Sequence, residues 1–134
     1  MSDRLRAIPL FADLPEGDFD RLSRAATEIH LTEAEVLFNE GDFGDSAYVI
    51  LDGEIEIITN SKGREVLLAV RREDEVIGEM ALLRAEPRSA TARARTDALL
   101  IRIPKQELDA ILETSAQATK ALFRVLLERW QSTE

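Results

Sequence analysis

The spacing of apolar residues changes twice along the chain and divides it into three parts. In an N-terminal segment of about 1–28, residues such as Phe19 and Leu22 recur at helical spacing, which predicts a helix with one apolar face. From 29–104 the period falls to two, which predicts several short strands joined by close turns. Helical spacing then returns over 105–130.

Turns that contain glycine separate the predicted strands. Asp52-Gly53 lies between two alternating segments, 48–51 and 54–57, and an Asp-Gly pair in this position favours a β-hairpin. A second turn is predicted at 60–63. We therefore expect a single domain, 1–134, that is mainly β with flanking helices: a β-roll or jelly roll of about eight strands.

Composition narrows the classes of function. The chain has no cysteine and one histidine, His30, so it lacks the residues for disulfides, thiolate zinc sites, cysteine nucleophiles or a multi-histidine metal site. Its net charge of −9 repels phosphate backbones, and we expect no direct nucleic-acid binding. We find no catalytic constellation, signal sequence or membrane-spanning run. The expectation is a cytoplasmic protein that is not an enzyme and holds no metal.

Several charged residues are candidates for a functional site, but the residues next to them in sequence favour a structural role. Glu54 and Glu56 alternate with isoleucines, and Arg93 and Arg95 alternate with alanines, so both pairs are interpreted as solvent faces of strands. Two aspartates next to glycines, at 42 and 45, are interpreted as turn residues.

The segment 78–91 carries the clearest chemical signal. Gly78 ends a predicted strand at a point of close backbone approach. Residues 80–83 can form one helical turn whose free N–H groups favour an anion. Arg88 adds a planar guanidinium that suits phosphate oxygens.

Neighbouring residues in this segment suit the same ligand. Ser89 and Ala90 are small, so their N–H groups can reach an anion, and Glu79 is an acceptor suited to a sugar hydroxyl. The structural alternative is an ion pair between Glu79 and Arg88 that joins two loops. Exposed pairs of that kind contribute about 0–1 kcal/mol.

The pattern G-E-x-A-L-L-x-x-x-P-R-S-A-T resembles the phosphate-binding cassette of the cyclic-nucleotide-binding domain family. That family includes the regulatory subunits of cyclic-AMP-dependent kinase, nucleotide-gated channels and the catabolite activator protein. The resemblance implies that Arg88 pairs with the cyclic phosphate and that Glu79 holds the ribose 2′-hydroxyl. The full ligand-binding set that it implies is Gly78, Glu79, Met80, Ala81, Arg88, Ser89 and Ala90.

The resemblance also implies an allosteric function without a catalytic cofactor. Cyclic AMP, favoured over cyclic GMP, would occupy the cassette as the allosteric ligand, and the last helix would close over the base. Phe123, Arg124 and Trp130 are the residues expected to form this lid. Ser89 is compatible with either purine.

The last helix leaves other functions open, because its apolar residues cover more than one face. One alternative is an interaction module that binds no nucleotide and dimerises through this helix. Another is the sensor half of a transcription regulator that lacks its DNA-binding domain. The expected partners are therefore a cyclic nucleotide and either a second copy, in a homodimer through the C-terminal helix, or a downstream effector domain.

Overall fold

The computed structural model describes residues 5–78, 86–116, 119–120, 123–124 and 127. The chain divides into two compact units. One comprises residues 1–26 and 104–134, and the other comprises residues 27–103.

The unit of residues 27–103 contains ten strands in the part of it that is described. They are β1 (Thr27–Leu31), β2 (Val36–Phe38), β3 (Phe43–Gly44), β4 (Ser46–Asp52), β5 (Ile55–Ser61), β6 (Arg64–Arg71), β7 (Val76–Ile77), β8 (Glu86–Pro87), β9 (Thr91–Ala94) and β10 (Ala98–Pro104). The prediction of a mainly β fold with helices before and after the strands is confirmed. The described strands number ten rather than about eight, and three of them, β3, β7 and β8, are only two residues long.

The strands form two four-stranded sheets and a small separate pair. One sheet has the order β1-β10-β4-β7, the other has the order β2-β9-β5-β6, and β3 pairs with β8. Alternate residues from both large sheets make one apolar core. Its buried members are Leu31, Tyr48, Ile50, Ile55, Ile77, Ala92, Ala94, Ala98 and Leu100. The core therefore lies between the sheets, as in a β-sandwich.

Asp52-Gly53 forms a turn, but the hairpin predicted there is wrong. Strand β4 pairs with β10 and β7, whereas β5 pairs with β9 and β6, so the chain changes sheets at this turn. Gly53 has φ +90°, and a Cβ there would lie 2.3 Å from the carbonyl oxygen of Asp97. An Asp-Gly pair predicts a sharp change of chain direction. It does not predict which strands pair, because that depends on packing between residues distant in sequence.

The turn predicted at 60–63 does close a hairpin. Strands β5 and β6 are antiparallel, and Ser61 pairs with Arg64 across a two-residue loop. The loop residues Lys62 and Gly63 both have positive φ, at 53° and 78°. This combination is typical of the type I′ turn, whose twist matches that of the flanking strands.

The other unit contains the described helices α1 (Pro9–Ala12), α2 (Glu16–Ala25) and α3 (Lys105–Thr114). Phe19 and Leu22 are buried, which confirms the predicted apolar face of α2. The described residues after Ser115 (116, 119–120, 123–124 and 127) are also helical. Within the described parts of the chain, no helix is long and apolar enough to cross a membrane.

Candidate functional site

Arg88 leaves the main chain at a fixed point. It follows β8, which pairs with β3. The Arg88 N–H donates to the carbonyl oxygen of Asp42 at 2.7 Å, and its own carbonyl accepts from the N–H of Gly41 at 2.8 Å. These two reciprocal bonds fasten Arg88 to the turn before β3, so the side chain starts from a defined position.

Two carbonyl groups and two aromatic rings then hold the guanidinium. Nη2 of Arg88 donates to the carbonyl oxygen of Ser46 at 2.8 Å, and Nη1 donates to that of Gly78 at 3.3 Å. Its Cζ lies 4.2 Å from the ring centroid of Phe38 and 5.9 Å from that of Tyr48. The rings bring π faces near the cation, and the carbonyls set the direction of its donors.

Two glycines make room for this side chain. A Cβ at Gly44 would lie 2.4 Å from Nε of Arg88 and 2.5 Å from its Cζ. A Cβ at Gly78 would lie 2.6 Å from Nη1 of Arg88. The close approach predicted at Gly78 is therefore an approach to Arg88, and Gly78 also has φ +71°, which favours glycine.

The guanidinium is a partly desolvated cation whose Nε lacks an acceptor among the described residues. Its Nε is buried and has no hydrogen-bond partner in the described structure. No ion pair joins Arg88 to a carboxylate in the described residues, although the chain has 26 acidic residues. Burial lowers the pKa of Arg88, and nearby Tyr48, Asp45 and Asp42 only partly oppose this effect. An anion that reached Nε would satisfy the donor and restore the balance of charge.

The same residues lie within a region shared with a known family. A family model described as the cyclic nucleotide-binding domain matches residues 28–115 of this chain, which is more than half of its length. The chain belongs to the cyclic nucleotide-binding domain family.

Relatives of this domain occur in different kinds of protein. The N-terminal domain of a transcriptional regulator from Streptomyces coelicolor is 36% identical, with a TM-score of 0.80 over 98% of this chain and 92% of that one. The regulatory domain of Toxoplasma gondii PKA, solved with cAMP, is 29% identical, with a TM-score of 0.76 over 82% of this chain and 42% of that one. An uncharacterised ABC transporter ATP-binding protein of Mycobacterium tuberculosis is 40% identical over 85 residues, which are 63% of this chain and 26% of that protein.

The chain spans about a quarter of the length of the curated relatives that it matches. What those whole proteins do is therefore a property of longer chains.

The other expected ligand-binding residues of this cyclic nucleotide-binding domain divide into two groups. Ser89 is exposed and Ala90 is buried, and both follow Arg88 in the connection to β9. Glu79, Met80 and Ala81 lie outside the described residues. The structure thus brings Arg88 and Gly78 together, and the ligand-binding roles of all these residues stay predictions.

The residues expected to form the lid have different surroundings. The Phe123 side chain is 63% exposed. Arg124 forms an ion pair with Asp13, which caps the C-terminal end of α1. Trp130 lies outside the described residues. Their part in closing the site stays a prediction.

Arg93 lies on the outer face of β9, as expected, because Ala92 and Ala94 are the buried residues of this strand, and carboxylates bind it there. Its guanidinium donates from Nε to Glu56 at 2.8 Å and from both Nη atoms to Glu65 at 3.1 Å, and its side chain is 27% exposed. Hydrogen bonds to Glu65 and then Glu56 raise the pKa of Arg93. Arg95, in contrast, is 49% exposed and lies 3.9 Å from Glu54.

Sequence reasoning missed four residues that hold Arg88: Phe38, Gly44, Ser46 and Tyr48. Ser46 acts through its carbonyl group, so its side chain gives no signal. Gly44 was interpreted only as part of a turn, yet it lies in strand β3, and a glycine inside a strand often marks a close approach. That signal was not available from the sequence, which predicts a turn rather than a strand around residue 44.

Proposed function

We propose that this chain is a regulatory domain that binds a cyclic nucleotide at Arg88, with cyclic AMP favoured over cyclic GMP. The observation that carries the proposal is the buried Nε of Arg88, which has no partner among the described residues. Membership of the cyclic nucleotide-binding domain family supplies the class of ligand.

A cyclic phosphate suits a single guanidinium. Its phosphodiester carries one negative charge, whereas the monoester of plain AMP carries nearly two at neutral pH. Asp42 and Asp45 lie close enough to Arg88 to influence its pKa. They would repel a dianion more strongly than a monoanion. The site therefore favours the cyclic form on charge as well as shape.

The remaining contacts follow the expected ligand-binding set. The N–H groups near Ala81, Ser89 and Ala90 would bind the phosphate, and Glu79 with the backbone of Gly78 would bind the ribose. Preference for cyclic AMP draws support from the cAMP held by the similar Toxoplasma gondii domain. Exposed Ser89 would sit beside the phosphate and accept either purine.

Signalling would run through the helix that follows α3. Arg124 of this helix is paired with Asp13. Closure of the helix over a bound base would exchange that pair for contacts with the nucleotide. A ligand shifts such an equilibrium only as far as it prefers the closed state. Phe123, Arg124 and Trp130 are the proposed contacts.

The test is a calorimetric titration with cyclic AMP, cyclic GMP and AMP, with tryptophan emission followed in parallel. Trp130 is the only tryptophan of the chain. We expect a dissociation constant of about 1 μM or tighter for cyclic AMP, a weaker one for cyclic GMP and no heat with AMP. A change in emission would support movement of the final helix, and binding without it would contradict that part of the proposal.

The matched variants are Arg88→Ala and Arg95→Ala. Arg88→Ala removes a charge-assisted contact worth roughly 1.5–3 kcal/mol. Its affinity for cyclic AMP should therefore be about tenfold to a hundredfold weaker than that of the parent. Arg95→Ala makes the same change of charge at an exposed residue and should bind as the parent does. Absence of binding by folded, ligand-free parent protein would reject the proposed function.

A second function is favoured by two exposed apolar residues on the final helix. Phe123 is 63% exposed and Leu127 is 40% exposed, and residues four apart lie on one helical face. We propose self-association through this face as the alternative, an interaction module that needs no nucleotide. Sedimentation of the parent and Phe123→Ser would show a dimer that the variant loses. A monomer at all concentrations would reject this alternative.

A further inference from the structure

We propose that Phe38, assisted by Tyr48, is a positioning residue that holds Arg88 in its anion-binding orientation before any ligand arrives. The effect on affinity rests on the proposed function, whereas the positioning itself does not. Nothing in the sequence pattern of the cassette includes either aromatic residue, because both precede it by many positions.

The two rings come from different sheets and meet below the guanidinium. Phe38 is the last residue of β2, and Tyr48 lies within β4. Their ring centroids are 6.0 Å apart, with the planes inclined by 34°. Cζ of Arg88 is nearer to Phe38, at 4.2 Å, than to Tyr48, at 5.9 Å. Phe38 is therefore the main contact.

An aromatic ring at this position compensates the charge of the guanidinium, which the two carbonyl groups do not neutralise. The carbonyl groups of Ser46 and Gly78 bind the two Nη atoms, and they are neutral. Burial penalises the charged guanidinium, as the lowered pKa of Arg88 indicates. The negative face of an aromatic ring stabilises a cation without using its hydrogen-bond donors. Nε is thus left for a ligand while the charge is still compensated.

The competing explanation is that Phe38 only fills space. Phe38 is partly buried and packs against the core cluster, so its removal also costs stability. A useful experiment must separate loss of packing from loss of arginine positioning. Two measurements do this, one without ligand and one with it.

The first measurement is the Nε–Hε NMR signal of Arg88 in the ligand-free protein, assigned by its absence in Arg88→Lys. A proton above a ring face is shielded, so we expect an upfield signal with slow solvent exchange compared with exposed Arg64. Phe38→Leu should remove both properties, and Phe38→Tyr should retain them. An Arg88 signal like that of Arg64, or one unchanged by Phe38→Leu, would overturn the proposal whether or not nucleotide binds.

The second measurement is a double-mutant cycle on cyclic AMP affinity. Phe38→Leu should weaken binding by about threefold to thirtyfold, the range expected for a desolvated cation–π contact. In an Arg88→Ala background the same substitution should change affinity less than about twofold, because its effect passes through Arg88. Equal losses in both backgrounds would show a packing role alone and overturn the proposal.

Phe43→Leu is the matched control. Phe43 is 70% exposed and pairs with Pro87, directly before Arg88 in sequence. It makes the same change of residue close to the site and should leave both the NMR signal and the affinity as they are. Denaturant unfolding of each variant confirms that it is folded at the temperature of measurement. If the parent protein shows the upfield, slowly exchanging Arg88 signal but binds no nucleotide, the proposed function is rejected and the positioning role of Phe38 is supported.

Discussion

Arg88 and Arg93 are five residues apart, and the fold treats their charges in opposite ways. Arg93 binds the carboxylates of Glu56 and Glu65 with all of its guanidinium nitrogens, and these bonds raise its pKa. Arg88 binds two carbonyls, has one buried nitrogen without a partner among the described residues, and has a lowered pKa. Every guanidinium nitrogen of Arg93 therefore has an acceptor, whereas Nε of Arg88 has none among the described residues.

The difference indicates how a structural arginine can be told from a candidate ligand-binding arginine. Both are followed by small residues in sequence, and both are partly buried. The two arginines differ in the hydrogen-bond acceptors that surround each guanidinium. Among the described residues, none of the ion pairs of this acidic chain involves the partly buried Arg88, and that is the pattern expected of a cation that binds an external anion.

Gly44→Ala should break the Arg88 side of this comparison most strongly. The new Cβ would overlap Nε, Cζ and Cδ of Arg88, all within 2.8 Å, and would displace the guanidinium. We expect cyclic AMP affinity to fall about tenfold, because a charge-assisted contact is lost. Calorimetry measures this loss.

The control for Gly44→Ala is Gly17→Ala in α2, where no atom lies within 4 Å of the new Cβ. That variant should bind as the parent does and unfold at a slightly higher temperature, since alanine favours helix more than glycine does. Equal affinities for both variants would contradict the role assigned to the space at Gly44.

Arg93→Ala should produce the reverse pattern. It removes the partner of Glu56 and Glu65 on three strands of one sheet, so the midpoint of thermal unfolding should fall. Cyclic AMP affinity should stay within about twofold of the parent, because no contact of Arg93 in the described residues reaches Arg88. A large loss of affinity with unchanged stability would erase the distinction between the two arginines.

Glu65→Gln gives the smallest expected effect, which is clearest as a change in the pH dependence of stability. Hydrogen bonding to Arg93, and then its charge, lower the pKa of Glu65 below its usual value of 4.5. The ion pair therefore stabilises the fold above that value, and the stabilisation disappears as pH falls through the lower folded pKa. Urea unfolding between about pH 3 and pH 5 should show a shallower loss of stability in the variant. Parallel curves would contradict the assignment.

The sequence predicts well wherever neighbouring residues decide the outcome. The change of period near residue 29 predicts the change from helix to strand, which the structure places at Thr27. The two-residue loop at Lys62-Gly63 follows from local chemistry. The spacing around Arg88 also predicts an anion site, and that part stays a prediction.

Prediction from the sequence fails where contacts between residues distant in sequence determine the structure. The pairing of β4 and β5 with other strands depends on which sheet each one joins, and Asp52-Gly53 carries no information about that choice. Phe38 and Arg88 are fifty positions apart and meet only because two sheets pack together. The carboxylate partners of Arg93 could not be predicted for the same reason, because Glu65 reaches it from another strand.

The absence of a side chain at residue 44 has a consequence for how such a domain would change over generations. While Arg88 is under selection, any mutation that adds a side chain at this position carries a fitness cost, since the arginine already fills the space. In a lineage that loses Arg88, this constraint disappears, and position 44 is free to drift. Position 78 would change more slowly, because its positive φ favours glycine for a separate reason. The residue at position 44 would then serve as a record of whether the neighbouring arginine is still in use.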